Sequence, residues 1–355
     1  MPSLLPKRLY TLCALLCLMI GTGGGIELYA QQEGSNLSAA SMPDGYEPNT
    51  FAYRFLDLPS TPQSLAMGGM LLTFVEDNPG LAFDNPALYG QESAGQLYLS
   101  YFNYMRGVNN MNALYGSGVG DRGTWGVGVR SMLYGTMQGA DAQGLKTAPF
   151  SALDLSVQGL FSYDLTPQLR GGLALKAIYG HVERYNAFAL VADAGLSYFS
   201  EPAGASFALA LTNAGGTIKG YGTQRSLPAW DIRLGYSQTF RHAPFRIHFT
   251  AYGLSPDNLR SMGKGEKWGR RLLRHLAFGA EYRPMESFWV GLGFNPSVAF
   301  DLSAQGARSL NGLSAGVGFK HQYFSIALAA AMYTPQAAGV MFSISTNFGN
   351  DRYSF

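Results

Sequence analysis

Few residues in this chain are spaced for catalysis. The five histidines, His181, His242, His248, His275 and His321, are scattered along the sequence. None has a neighbour at metal-ligand spacing, and His242 and His248 stand six residues apart, which is not a recognised chelate. The only cysteines are Cys13 and Cys17. Both fall in an N-terminal apolar run, so thiol catalysis, disulfides and cysteine metal sites drop out together once that run is removed. Asp154, Asp193 and Glu281 each stand alone in an alternating apolar context. Pairing with Arg170, Lys176 or Arg233 is the expected role of such carboxylates. The glycine-rich stretches 116–120 and 291–293 are not followed by a helical pattern, so they lack the helix terminus that cradles a phosphate. No metal, cofactor, nucleotide or catalytic set is expected. One charge cluster remains. Arg260, Lys264, Lys267, Arg270, Arg271 and Arg274 lie close together, with Glu266 as the single acid among them. Such a group either keeps a loop solvated or docks an anionic partner, a lipopolysaccharide phosphate or an acidic protein face.

Composition explains why chemistry is sparse. Of the 355 residues, 47% are hydrophobic, 13% aromatic and only 14% charged, with 45 glycines. Soluble domains carry about 25% charged residues. After the first 30 residues no apolar run is long enough for a membrane helix, so the apolar residues must alternate with polar ones. High apolar content with a period of two is the pattern of a transmembrane β-barrel. A net charge of +2 does not point to nucleic acid.

The N-terminus reads as a secretory signal peptide over residues 1–30. Lys7 and Arg8 precede the apolar run Leu9–Ile20, and Ala30 offers a small residue before Gln31. Residues 31–50 are polar and read as a flexible periplasmic leader. Residues 51–95 form a segment without hairpin rhythm. It holds the small, apolar Ser64–Gly69 and two turn formers, Asn78-Pro79-Gly80 and Asp84-Asn85-Pro86, and reads as a compact plug. Residues 96–355 then alternate. Leu153, Leu155, Val157, Phe161 and Tyr163 share one face, and Asp154, Ser156, Gln158 and Ser162 the other. About fourteen strands are expected from this rule. They run near 96–105, 111–119, 123–134, 151–163, 169–181, 187–199, 205–213, 229–239, 245–254, 274–283, 287–294, 310–320, 323–333 and 338–348. Short turns alternate with long connections at 135–150, 214–228, 255–273 and 295–309, the last four being the expected outer loops. The fold expected is all-β: a transmembrane antiparallel barrel with a short N-terminal plug. The aromatic-rich last strand and terminal Phe355 are similar to the assembly signal of such barrels.

The plug stretch resembles FadL-like outer-membrane barrels, through Ala66-Met67-Gly68-Gly69, then Asp77, then Asn85-Pro86-Ala87-Leu88. A closer resemblance is to the PorQ family of the type IX secretion system. It rests on Tyr53-Arg54-Phe55-Leu56-Asp57-Leu58-Pro59, on Tyr134–Asp141 and on His242-Ala243-Pro244-Phe245-Arg246. One departure is visible. That family often has an arginine shortly before the Ala-x-Gly-Gly, where this chain has Thr61-Pro62-Gln63-Ser64. The resemblance implies a non-enzymatic barrel in the outer-membrane lipid that scaffolds surface partners, PorZ-, PorU- and PorV-like, for secreted cargo. The alternative it implies is a FadL-like channel for hydrophobic small molecules. The plug-motif residues are then Ala66, Gly68, Gly69, Asp77, Asn85 and Pro86. The basic cluster supplies candidate loop contacts. Arg130, Arg170, Lys176, Arg233 and Arg246 on the expected lumenal faces favour the scaffold over an apolar conduit.

Overall fold

Alternation of apolar and polar residues closes this chain into a cylinder. The computed structural model describes residues 52–347 apart from 75, 106, 141–144, 222–225, 302–309 and 335–336. The expected signal and leader, both cysteines, the Ala30–Gln31 junction and Phe355 lie outside the described residues. Fourteen strands follow one another: β1 Gln96–Met105, β2 Val108–Val119, β3 Gly123–Met137, β4 Phe150–Asp164, β5 Leu169–Val182, β6 Tyr185–Ser200, β7 Ala205–Lys219, β8 Asp231–Thr239, β9 Phe245–Ala251, β10 Leu276–Met285, β11 Phe288–Phe294, β12 Leu313–Lys320, β13 Phe324–Thr334 and β14 Ala337–Asn347. Each pairs antiparallel with the next, and β1 closes on β14 from Gln96 opposite Asn347 to Asn103 opposite Val340. Closure leaves no strand edge, which is the condition for crossing hydrocarbon with sheet.

The two faces of the wall follow from the period. Along β5, Leu175 is 72% exposed and its neighbour Lys176 is 4% exposed. Trp125, Val127, Phe161, Leu173, Leu234 and Leu292 are likewise exposed apolar side chains, whereas Arg130, Ser156, Gln158 and Arg233 are buried. A continuous apolar outer face on a closed sheet is a lipid-facing belt. The chain is a closed 14-strand antiparallel β-barrel. Among the described residues no helix is long and apolar enough to cross a membrane.

Three features differ from the sequence expectation. Strand β7 runs on to Lys219, where a loop was expected from 214. Asn213 adopts φ 56° and makes a bulge opposite Asp193, after which pairing with β6 resumes at Ala214. Strand β2 begins at Val108, three residues before the expected start at 111. Two outer connections contain helices: α2 Pro256–Ser261 and α3 Trp268–Arg274 between β9 and β10, and α4 Pro296–Asp301 between β11 and β12. Ser255 caps α2 by accepting from the Asn258 N–H, and Asn295 caps α4 through Ser297 and Val298.

The wall is uneven. Strands β3 to β7 have 14 to 16 residues, while β9 and β11 have seven and β12 has eight. Seven residues give about 23 Å of strand before tilt, at roughly 3.3 Å per residue. The apolar band of such barrels is about 25 Å tall. The helices α2, α3 and α4 therefore leave the wall from its short side.

Candidate functional site

Residues 52–95 supply the apolar core that the barrel interior would otherwise lack. Helix α1 (Pro62–Ala66) brings Leu65 and Ala66, which join Met67, Leu71, Phe74, Leu81 and Leu88 against Phe102, Ala329, Tyr333 and Met341 of the wall. Tyr53, Phe55 and Leu56 pack on Met132, Ile178 and Val191. Ala82, Phe83 and Tyr89 pack on Tyr98, Leu114 and Leu160. The local sequence accounts for the shape of α1. Thr61 accepts from the Ser64 N–H at 2.9 Å, and Pro62 occupies the first helical position, where a missing N–H costs nothing. Gly68 and Gly69 end the helix at φ 84° and 88°, and the Gly69 N–H bonds back to Ser64 O.

The plug motif touches the wall at named points. Ser314 Oγ donates to Ala66 O at 3.1 Å and lies 3.2 Å from the Gly68 N–H. Asn295 Nδ2 donates to Gly68 O at 3.0 Å. A Cβ on Gly68 would stand 3.0 Å from Phe294 O and 3.1 Å from Phe278 O. Asn85 accepts from the Ala87 N–H and donates to Leu72 O, shaping the turn that Pro86 begins. Gly172 and Gly195 of the wall give way there, because a side chain on either would strike Asn85, Pro86 or Ala87. Asp77 pairs with Lys320 at 2.8 Å in a half-exposed position.

Charge completes the seat. Near the start of the plug, Asp57 accepts from Arg233 Nη2 at 2.5 Å, and Arg233 also reaches Asp231 at 3.2 Å. Arg130 Nη1 donates to Leu56 O at 2.7 Å, and its guanidinium lies 5.0 Å from the Phe83 ring. At the other end, Arg170 bridges Glu92 at 2.6 Å and Asp164 at 2.5 Å. Between them is a four-membered cluster. Glu76 of the plug accepts from Arg246 and, at 2.8 Å, from Arg283. Glu281 accepts from the same two arginines at 2.7 and 3.0 Å. Gln63 donates to Glu281 at 2.8 Å and to Glu76 at 3.3 Å, so it joins both carboxylates in the stretch where an arginine was expected. Arg246 stacks on Phe74 at 3.4 Å, and Thr73 lies 3.1 Å from His248 Nδ1.

Burial alone would raise the Glu76 carboxyl, but Arg246 and Arg283 outweigh it and hold its pKa at about 2. Asp57 and Asp84 go the other way: burial pushes both up, against the pull of Arg233 and Arg130. The carboxylates expected to stand singly are all partnered. Asp193 pairs with Lys176 at 2.5 Å, Glu281 sits in the cluster above, and Asp154 accepts from Tyr134 at 2.7 Å. Side chains so paired hold a segment in place. Beside the cluster lies a cavity of about 890 Å³, lined mostly by polar groups including Gln63, Glu76, Asn78, Gln96, Arg283 and Lys320.

Asp57, Glu76 and Glu92 were missed as site residues. A signal existed: several inward-facing bases of the strands need acids, and the plug segment is rich in them. The basic cluster, in turn, is divided. Arg274 is buried and binds Glu266 at 2.6 Å and Asp301 in α4, so it is a brace and not a surface contact. Arg270 lies 4.5 Å from the Phe300 ring and reaches Glu266 at 3.4 Å. Arg271 donates to Leu259 O. Arg260, Lys264 and Lys267 are exposed.

The fold has relatives of known structure. The toluene transporter TodX of Pseudomonas putida aligns over 82% of this chain and 98% of its own, at a TM-score of 0.53 and 11% identity. The monoaromatic hydrocarbon channel CymD aligns over 84% and 99%, at 0.50 and 12%. These likenesses establish a shared barrel architecture. No protein-family model matches the chain, and no curated protein does either.

Proposed function

We propose that this protein is a non-enzymatic outer-membrane barrel, closed by its own N-terminal segment, that holds surface partners. The observation that carries this reading is the Glu76–Arg246–Arg283–Glu281 cluster, which ties the plug to the wall inside the lumen. An open conduit for apolar solutes needs an apolar path, whereas Glu76, Glu92, Arg283 and Lys320 stand in the lining of the cavity beside the cluster. The PorQ-like order of motifs supports type IX secretion as the setting, with PorZ-, PorU- and PorV-like proteins as the partners. On this reading residues 1–30 are a signal peptide, 31–50 a periplasmic leader, 51–95 the plug and 96–355 the barrel. Partners dock on one or more of the expected outer connections, 135–150, 214–228, 255–273 and 295–309. Crosslinking on intact cells, followed by pull-down from outer membranes and mass spectrometry, tests it. Surface proteins of the attachment complex are the expected catch, and their absence under conditions that capture other barrel partners would overturn the reading.

A second reading has its own support. The solved structures that share the fold are described as a toluene transporter and a monoaromatic hydrocarbon channel. Passage of hydrophobic small molecules is therefore the competing function, and it requires the plug to move. Saturable uptake of toluene into proteoliposomes holding the purified protein would favour it.

A further inference from the structure

An apolar groove of about 520 Å³ runs on the outer face of the wall between β5 and β10. Two cross-strand rows form it. Leu276, Ala251, Leu234, Leu209 and Leu196 are successive register partners, and so are Phe249, Tyr236, Phe207, Tyr198 and Leu169. Ala251 is the small residue of its row, which otherwise carries leucine, and Ala208 and Gly235 also line the groove. Because strands tilt in a barrel, a row of register partners crosses the membrane obliquely. Together the two rows reach from Leu169, at the turn end of β5, to Leu276, at the loop end of β10.

The upper end of the groove meets the basic connection. Ala251 is the last residue of β9 and Leu276 the first of β10, and the chain between them carries α2 and α3. That connection is built as an amphiphile. Trp268 is 79% exposed, and Leu259, Leu272 and Leu273 are 41 to 47% exposed. Trp268 and Leu272 share one face of α3, at i and i+4. Arg270 and Arg274 point to the other, where Glu266, Phe300 and Asp301 hold them. Arg260, Lys264 and Lys267 are exposed on the same connection. Tryptophan is enriched at membrane–water interfaces.

We infer that this face binds a lipid of the outer leaflet that carries phosphate on its headgroup. An acyl chain lies in the groove beneath Ala251 and Leu276. The phosphate meets Arg260, Lys264 and Lys267 on the connection above. The juxtaposition supplies both parts of an anionic amphiphile: an apolar channel on the outer face, ending at the two strand termini from which the cationic connection springs. An acidic protein face would use the rim but leave the groove without a role.

The probe is diphosphoryl lipid A, mixed as a minor component into phosphatidylcholine nanodiscs holding the full chain, with retained lipid counted by native mass spectrometry. Replacing three basic residues together, Arg260→Gln, Lys264→Gln and Lys267→Gln, should reduce retention by roughly tenfold, and added salt should weaken it in the parent. A251W, which fills the groove, should lower retention with the rim intact. Both variants should keep the folded band of the parent on unheated gels, since neither alters the ladder or the plug. Equal retention by the parent and the triple variant overturns the assignment. So does equal retention of a phosphate-free lipid A. Loss of a surface protein from the triple variant, with lipid retained, would assign the rim to an acidic protein instead.

Discussion

Replacing Glu76 by glutamine should loosen the plug without opening the wall. Glu76 is the plug's contribution to a cluster in which Arg246 and Arg283 each face two carboxylates. Holding this carboxyl at about 2, against its ordinary 4.5, corresponds to about 3 kcal/mol of interaction. The carboxylate is 17% exposed, so solvent screens little of it. In the Glu76→Gln variant Glu281 alone faces both arginines, and an uncompensated positive charge stays inside the lumen. Breaking one partner out of a buried ion pair costs about 3 to 5 kcal/mol, which agrees with that figure. A loss of about 3 kcal/mol raises the population of released plug by roughly a hundredfold. The strand ladder does not involve this side chain, so the barrel stays closed. Two readouts separate the effects. Protease added from the periplasmic side should cut residues 52–95 faster in the variant, and planar bilayers should show larger or more frequent conductance steps. The folded band on unheated gels should persist. Parent-like protease resistance and parent-like conductance would show that the cluster does not hold the plug.

The same carboxyl makes the plug sensitive to acid. Its pKa is lowered on folding, so its contribution is complete above about 4.5 and is lost as pH falls towards about 2. Protease sensitivity of the plug should rise over that window in the parent and much less in Glu76→Gln. Gly68→Ala forces a side chain into φ 84° and to within 3.0 Å of Phe294 O, and should weaken plug docking by about 1 to 3 kcal/mol, read by the same cleavage assay. Lys176→Met strands Asp193, which is 2% exposed, and should cost about 3 to 5 kcal/mol, seen as a lower temperature for conversion of the folded gel band. Adding Asp193→Leu should recover only part, because the Asn213 N–H then loses its acceptor.

Why some of this was readable and some was not comes down to range. The two faces of β4 and β5 are local facts, since a period of two puts Gln158 and Lys176 inward and Phe161 and Leu175 outward wherever the strand lies. Strand β1 begins and ends where alternation begins and ends, at Gln96 and Met105. The end of β7 was misplaced because Ala214-Gly215-Gly216 carries almost no alternation, and the strand continues there only through the Asn213 bulge held by Asp193. Helix α3 was read as loop because seven residues give too few turns for a helical period, and its order comes from Arg274 reaching Asp301 in α4. The plug motif residues were visible as turn formers, but their partners were not. Glu76 meets Arg246 and Arg283 across 170 and 207 positions of sequence, a distance only the closed sheet removes.

The central proposal is that the plugged barrel retains surface partners, against the competing reading of a conduit. Deleting the protein and fractionating the cells tests it most directly, with secreted cargo and the surface partner measured beside growth on a hydrophobic nutrient. The account predicts that cargo and partner leave the surface, into the medium or back to the periplasm, while growth on the nutrient is unchanged. Cargo and partner still attached at normal levels, together with failed uptake of the nutrient, would contradict it and put the transport reading in its place.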